Sequence, residues 1–154
     1  MKNKYIIGAM LVGIISLFAS CSDDNDSNPT LIQPTEFKLN TPEYVNSTID
    51  LEHSTELSLS WSQPKYTADN APINVTYEIQ VSPTNSFTVS TDEAAADESG
   101  EKVADYAALS HTTLECKTSA SAEEIDKALV KILKLTEGNV PAEQDAYVRV
   151  NAFI

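Results

Sequence analysis

The chain has 154 residues, with 10 basic and 23 acidic side chains and a formal net charge of −13. This length accommodates one ordinary domain with short extensions and excludes the large enzyme folds. The negative charge argues against nucleic acid or an anionic lipid surface as a partner, because both require basic patches. Two cysteines form neither a disulfide scaffold nor a four-thiolate zinc site.

The first twenty residues have the pattern of a secretory signal. Lys2 and Lys4 precede an almost uninterrupted apolar run over 5–19, which falls short of the about 20 residues that a membrane span needs. Residues 17–21, Leu-Phe-Ala-Ser-Cys, are similar to a bacterial lipobox, in which the cysteine receives a lipid and becomes the new N-terminus. We predict a signal peptide over 1–20 and lipidation at Cys21. The alternative is an ordinary signal with a chance cysteine.

The next segment, 21–34, is polar and acidic. Its first part reads Ser-Asp-Asp-Asn-Asp-Ser-Asn-Pro after the cysteine and offers no apolar side chain for packing, so we predict a flexible tether. One interpretation is a plain linker. The other is that an acidic stretch directly after a lipidated cysteine resembles the surface-export signal of some Gram-negative lipoproteins. We favour the second, which predicts a protein held on the outer membrane and facing the cell exterior.

Beyond residue 34 apolar side chains alternate with polar ones, the pattern of half-buried strands. Leu57, Leu59 and Trp61 alternate with serines, and the alternation places Trp61 in the core rather than on a sugar-stacking surface. Prolines at 64 and 83 end two of the runs. Alternation predicts strands at 37–39, 49–51, 57–61, 75–81 and 146–154. We therefore predict an all-β fold, an antiparallel sandwich.

Two segments depart from this alternation. One is predicted to be a short inserted α-helix over about 121–135, with a capping box at Ser121 and Glu124 and a stop at Gly138. Its apolar face is formed by Ile125, Ala128, Leu129 and Ile132. The other, 91–105, carries six carboxylates without a period and is predicted to be an exposed acidic loop. A calcium site there is disfavoured, because the spacing is not that of an EF-hand.

The order of these motifs carries a resemblance. Leu-Ser-Leu-Ser-Trp at 57–61, Tyr-Glu-Ile-Gln-Val at 77–81 and Val-Arg-Val-Asn-Ala at 148–152 resemble a fibronectin type III or immunoglobulin-like module. With the lipobox, the acidic tether and the helix, the chain resembles the N-terminal domain of SusE-type outer-membrane lipoproteins over essentially its whole length. The tyrosine that usually starts the late strand, in phase with its valines, is replaced by Ala146, and Tyr147 falls on the opposite face.

The resemblance implies a non-enzymatic, lipid-anchored surface module of a glycan-uptake system. The implied ligand is starch or a related polysaccharide, and the implied partners are a SusD-like protein and a TonB-dependent porin. Members of this family usually carry the carbohydrate sites in further β-domains, so this module is expected to act mainly as a membrane-proximal spacer. The alternative is a structural or adhesive module that binds another protein through its sheet edge.

A sandwich of this type needs a further strand beside 146–154. We therefore expect that the domain over 35–154 is incomplete at its C-terminus and that its last strand is missing. Such an end would expose a hydrophobic sheet edge.

Chemistry-bearing residues are few. His53 and His111 are the only histidines and have no evident partner, and Cys116 is interpreted as a small core residue in a strand-like segment. No phosphate loop, metal motif or catalytic set appears, so we predict no enzymatic activity, no cofactor and no metal site. Three tyrosines in loop-like segments are the candidates for glycan contact: Tyr44, Tyr66 and Tyr106.

Overall fold

A computed structural model describes residues 31–32, 36–69 and 71–154 of the chain. Within them the chain forms an all-β, sandwich-like fold with two helices. The predicted signal peptide over 1–20, Cys21 and the predicted tether apart from residues 31 and 32 lie outside the described residues. The elements in chain order are β1 (Leu31–Ile32), β2 (Glu56–Ser60), β3 (Thr67–Ala68), β4 (Ala71–Pro72), β5 (Thr76–Ser82), α1 (Thr91–Ala95), β6 (Ala107–Thr113), β7 (Lys117–Ser121), α2 (Ala122–Leu133) and β8 (Tyr147–Phe153).

The strands pair antiparallel in three sheets. The largest has the order β6-β5-β8, so β5 is its central strand and the chain crosses over to bring the late β8 beside it. β2 pairs with β7, and the two-residue strands β1, β3 and β4 form a small third sheet. The pairing of β5 with β6 is interrupted by an irregularity between Glu78 and Gln80. The predicted antiparallel, all-β architecture is confirmed.

The core lies on the inner face of the β6-β5-β8 sheet. Alternation in β5 sends Tyr77, Ile79 and Val81 inward, and each is at most 3% exposed. Trp61, directly after β2, is 4% exposed and packs with its ring centroid 5.2 Å from that of Tyr77. The prediction that Trp61 belongs to the core is confirmed. On β8 the inward residues Val148, Val150 and Ala152 pack against the same core.

Helix α2 closes this core with the face that the sequence predicts. Ile125, Ala128, Leu129 and Ile132 are all buried. The details of both helix ends differ from the prediction. The Ser121 hydroxyl accepts from the backbone N–H of Glu124 at 3.4 Å, but the Glu124 carboxylate accepts from Ser110 of β6 and so does not complete a capping box. The helix ends at Leu133, because Lys134 takes a left-handed conformation with φ of 53°; the predicted stop at Gly138 is wrong.

The predicted strand at 49–51 is absent, and the segment is a turn. The Asp50 carboxylate explains this, because it accepts hydrogen bonds from the backbone N–H groups of Glu52 and His53 at 3.0 and 3.3 Å. Such a side-chain-to-backbone turn competes with strand pairing. The predicted strand at 37–39 is reduced to a single bridge between Leu39 and Trp61.

The acidic segment 91–105 contains α1, which the prediction of a loop missed. Ser90 and Glu93 form a complete capping box: the Ser90 hydroxyl accepts from the Glu93 N–H at 3.0 Å, and the Glu93 carboxylate accepts from the Ser90 N–H at 2.8 Å. One of the six carboxylates predicted to lie in a loop, that of Glu93, therefore caps the start of a helix. The rest of the segment, from 96 to 105, is irregular.

Candidate functional site

The three candidate tyrosines lie in three different surroundings, and all three are half-buried. The Tyr44 hydroxyl donates to the backbone carbonyl of Ser58 in β2 at 2.5 Å. Tyr66 packs against the hydrophobic core. Tyr106 precedes β6, and its ring lies 5.8 Å from that of Phe87. The contacts of the three tyrosines therefore do not assemble them into one aromatic surface.

Tyr106 instead belongs to a cluster that includes the outer face of the β6-β5-β8 sheet. We call it the outer-face network, and its members are Glu78, Gln80, Phe87, Tyr106, Arg149 and Asn151. The strand register builds it: Gln80 pairs with Arg149 of β8 and with Ala108 of β6, while Glu78 pairs with Asn151. Because side chains alternate along each strand, these polar residues point away from the core that Ile79 and Val81 fill.

A chain of hydrogen bonds connects the network. Arg149 donates from Nε to the Gln80 side-chain oxygen at 2.5 Å, and Gln80 donates from its amide nitrogen to Glu78 Oε1 at 2.5 Å. Asn151 donates to the same Glu78 oxygen at 3.0 Å. Gln80 is only 3% exposed although it lies on the outer face. Its two bonds satisfy both ends of a buried amide, which otherwise carries a large desolvation cost.

Two aromatic rings hold the Arg149 guanidinium. Its central carbon lies 4.2 Å from the centroid of the Phe87 ring and 5.3 Å from that of Tyr106. A guanidinium over an aromatic face is attracted by the ring quadrupole, typically by about 0.5–1 kcal/mol at an exposed site. The Nε hydrogen bond and the two rings together fix the orientation of this side chain.

Asp105 holds the loop that carries Phe87. Its carboxylate accepts from the Ser86 hydroxyl at 2.6 Å, from the backbone N–H groups of Thr88 and Val89 at 2.9 and 3.0 Å, and from the Thr88 hydroxyl. Burial opposes the charged form and by itself raises the pKa of Asp105. The hydrogen bonds outweigh it and lower that pKa to about 2.

The two histidines do not form a catalytic set within the described residues. His53 has a partner that the sequence reading missed, since its Nδ1 lies 2.7 Å from Asp50 Oδ2, and the hydrogen bond from His53 is the main cause that lowers the pKa of Asp50. Both side chains are more than 60% exposed, 76% and 63% respectively. His111 is exposed and lies within β6.

Cys116 lies in the turn between β6 and β7, half-buried against the core. Its sulfur is 3.6 Å from the Tyr77 hydroxyl. Burial, with a further contribution from this thiol, raises the pKa of Tyr77. The predicted strand-like setting of Cys116 is wrong, because the chain turns at 114–116, whereas its contact with the core is confirmed.

The clefts on the described surface include one of about 80 Å³ lined by Cys116, Tyr77, Leu114 and neighbours from 63–75. Another, of about 510 Å³, is lined by Leu51 and by acidic and hydroxyl side chains near the start of α2. In the part of the chain that the structure describes, no three His, Cys, Asp or Glu side chains are grouped to hold a metal ion. Nor does any helix there have the length and apolar character to cross a membrane.

Sequence reasoning singled out only one member of the outer-face network, Tyr106. Gln80 and Arg149 belong to segments whose alternation predicts strands but not a site. Phe87 lies in a loop without any periodic signal. One feature could have pointed to the network, namely that Arg149 is the only arginine in a strongly acidic chain.

Two comparisons with known proteins bear on the chain. No solved structure matches it. The SusE outer membrane protein family matches residues 23–151, which is most of the chain and includes nearly all of the described fold. The chain therefore belongs to the SusE outer membrane protein family, whose members are surface binding proteins of the Sus-like system rather than enzymes.

Proposed function

We propose that this chain is a lipid-anchored, surface-exposed module of a glycan-uptake system and that it acts mainly as a membrane-proximal spacer. The observation that carries the proposal is the family match over residues 23–151. The lipobox ending at Cys21 and the acidic segment after it support the anchor and its outward orientation. Starch or a related polysaccharide is the proposed glycan, by the same resemblance.

The spacer role is supported by what the aromatic side chains do. Trp61, the residue best suited to stack on a sugar ring, is 4% exposed and packs on Tyr77. Tyr44 and Tyr66 are engaged by β2 and by the core. A neutral polysaccharide such as starch therefore finds no stacked row of open aromatic faces among these candidates.

The anchor is tested by fractionating membranes from cells that express the chain or its Cys21→Ser variant. We expect the unaltered chain in the outer membrane and exposed to added protease on intact cells, with Cys21→Ser absent from the outer-membrane fraction. A Cys21→Ser variant that still reaches the outer membrane would overturn lipidation at Cys21. Protection of the unaltered chain from protease would overturn the outward orientation.

The spacer role is tested by affinity electrophoresis of the full chain through gels that contain starch. We expect the same migration as in gels without starch. Retardation in starch gels would contradict the spacer role. Chemical crosslinking in intact outer membranes tests the proposed partners, and we expect adducts with a SusD-like protein and a TonB-dependent porin.

The alternative function, a structural or adhesive module, is favoured by the position of β8. In the described residues β8 has β5 as its only neighbour and lies at the edge of its sheet. Its outer-face aromatics Tyr147 and Phe153 are 40% and 41% exposed. An exposed strand edge is a common site for pairing with another protein. Crosslinks from β8 to a protein outside the uptake system would favour this alternative.

A further inference from the structure

We propose that Arg149 anchors a binding site for an acidic saccharide and that its guanidinium receives the carboxylate of a uronic acid residue. The inference rests on the proposed function in glycan uptake, although it concerns a different sugar class from starch. It assigns a ligand to the outer-face network of a module otherwise proposed to be a spacer.

The first argument is the missing counter-charge of Arg149. The chain holds 23 acidic residues, and three of its lysines, Lys117, Lys127 and Lys131, form ion pairs. Among the described residues, no carboxylate forms an ion pair with Arg149. The carboxylate on the same face, Glu78, is instead hydrogen-bonded by two neutral amides. Gln80 thus stands between the arginine and this carboxylate.

The second argument is the orientation of the guanidinium. Its Nε donates to the buried Gln80, and its central carbon lies over the Phe87 and Tyr106 rings. Its two terminal amino groups make no hydrogen bond within the described residues. They present the paired donors that match the two oxygens of a carboxylate. Because packing already restricts the side chain, little rotamer entropy remains to be lost when a ligand binds.

The third argument concerns what surrounds the guanidinium. Asn151 and Tyr147 follow and precede Arg149 on the same face of β8 at the spacing of two that alternation requires. Glu78 lies on the neighbouring strand and can accept from a hydroxyl. Amide, carboxylate and an exposed aromatic ring beside a cationic fork suit a sugar that carries both hydroxyl groups and a carboxylate.

The net charge of the chain constrains how this site works. A formal charge of −13 repels anions at long range. At about 0.15 M salt the Debye length is about 8 Å, so distant carboxylates are screened while the contact with Arg149 is not. We therefore expect the site to bind short acidic oligosaccharides at this salt concentration, and binding to weaken when salt is reduced.

The test uses the full-length chain in detergent and isothermal titration calorimetry at about 0.15 M salt. The probes are a trigalacturonate and its fully methyl-esterified form, which has the same sugar rings without charge. We expect the acid form to bind at least about tenfold more tightly, the change that 1.4 kcal/mol produces. Equal affinities for the two probes, or no heat from either, would overturn the proposal. This comparison needs no variant.

Variants place the site on Arg149. Arg149→Lys keeps the charge but loses the fork, and we expect it to bind the acid form about tenfold more weakly. The control Lys65→Gln removes one positive charge from an exposed residue elsewhere, and its affinity should not change. Undiminished binding by Arg149→Lys, with an unchanged circular dichroism melt, would contradict the assignment. Should Arg149→Lys melt early, chemical-shift changes on Asn151 and Tyr147 in the unaltered chain decide the location.

A glutamate tripeptide separates a sugar site from a general carboxylate site. Trigalacturonate should bind more tightly, because its hydroxyl groups add contacts that the peptide lacks. Equal or tighter binding of the peptide would overturn the saccharide assignment in favour of a protein partner. None of these results depends on lipidation at Cys21 or on starch, so failure here is distinguishable from failure of the proposed function.

Discussion

The two faces of the β6-β5-β8 sheet are built from the same strands but stabilised differently. Inward residues of β5, such as Ile79 and Val81, are buried among apolar neighbours and need only shape to pack well. Outward residues, such as Gln80, are buried through hydrogen bonds and ring contacts that must all be present together. Truncating a side chain therefore has a different consequence on each face. It leaves a cavity on the inner face and unpaired polar atoms on the outer face.

Ile79→Ala tests the inner face and should have the largest effect. Ile79 is 3% exposed in the middle of the core, so truncation removes buried methyl groups and leaves a cavity. We expect the free energy of unfolding to fall by about 2–5 kcal/mol, measured by urea denaturation followed by circular dichroism. The comparison is Phe153→Ala, at the exposed end of β8 on the outer face of the sheet. It should lower the free energy of unfolding by well under half as much. Equal losses in the free energy of unfolding for the two variants would show that the two faces of the sheet do not differ in this way.

Asp105→Asn tests the carboxylate that holds the Phe87 loop. Because hydrogen bonds lower the pKa of Asp105 to about 2 in the folded chain, below its value near 4 when unfolded, the ionised group stabilises the fold above about pH 4. That stabilisation is lost as the pH falls from about 4 toward 2. Asn lacks the charge and places an amide donor beside hydroxyl donors, so we expect a loss on the order of 1.5–3 kcal/mol at pH 7.

The measurement is urea denaturation of both proteins at pH 7 and at pH 2–4. The difference between Asp105→Asn and the unaltered chain should shrink as the pH falls through this range. A difference that stays constant with pH would show that the Asp105 charge does not stabilise the loop. Asp145→Asn, on an exposed residue near β8, is the control and should change the free energy of unfolding at pH 7 by no more than about 0.5 kcal/mol.

Gln80→Ala tests whether the outer-face network acts as a unit. The change leaves Arg149 Nε and one Glu78 oxygen without Gln80, and we expect a loss of about 1–2 kcal/mol. The expected loss lies in the lower part of the range for a polar group left without its partner, because Arg149 is exposed and its Nε can bond water instead. Gln144→Ala, on an exposed glutamine, is the control. A double-mutant cycle of Gln80→Ala with Asn151→Ala should show coupling, and strict additivity would argue against one network.

Tyr147→Ala should have the smallest effect on stability. Tyr147 lies on the outer face but is 40% exposed, and its ring forms none of the aromatic contacts of the network. We expect a change within about 0.5 kcal/mol by urea denaturation. A fall in the free energy of unfolding of more than about 1.4 kcal/mol, which is tenfold in the folding equilibrium, would mean that the ring stabilises the sheet rather than being free for a ligand.

The inner face was predictable from the sequence, and the outer face was not. Alternation alone places Tyr77, Ile79 and Val81 in the core, because burial of one strand face leaves a period of two. The partner of Gln80 is 69 residues away on β8, and only the pairing of β5 with β8 brings Arg149 beside it. No local pattern contains that register.

The elements that were predicted wrongly are decided by local interactions that a hydrophobic pattern does not show. The turn at Asp50 replaced a predicted strand because a carboxylate captured two backbone N–H groups. The capping box at Ser90 began α1 inside a run that reads as loop charge. Lys134 ended α2 four residues before the glycine, in a conformation that glycine normally adopts. In each case one polar side chain or one backbone angle decided the outcome.

The single tryptophan of the chain gives it an optical property that follows from its place in the core. Trp61 is enclosed by apolar side chains, and the Tyr77 ring lies 5.2 Å away, within range for efficient transfer of excitation energy between the two rings. Light absorbed by Tyr77 should therefore emerge as indole emission, and that emission should be blue-shifted while the core is dry. Unfolding would shift it to the red and restore tyrosine emission. One spectrum of the purified, unaltered chain thus reports whether Trp61 and Tyr77 are packed together.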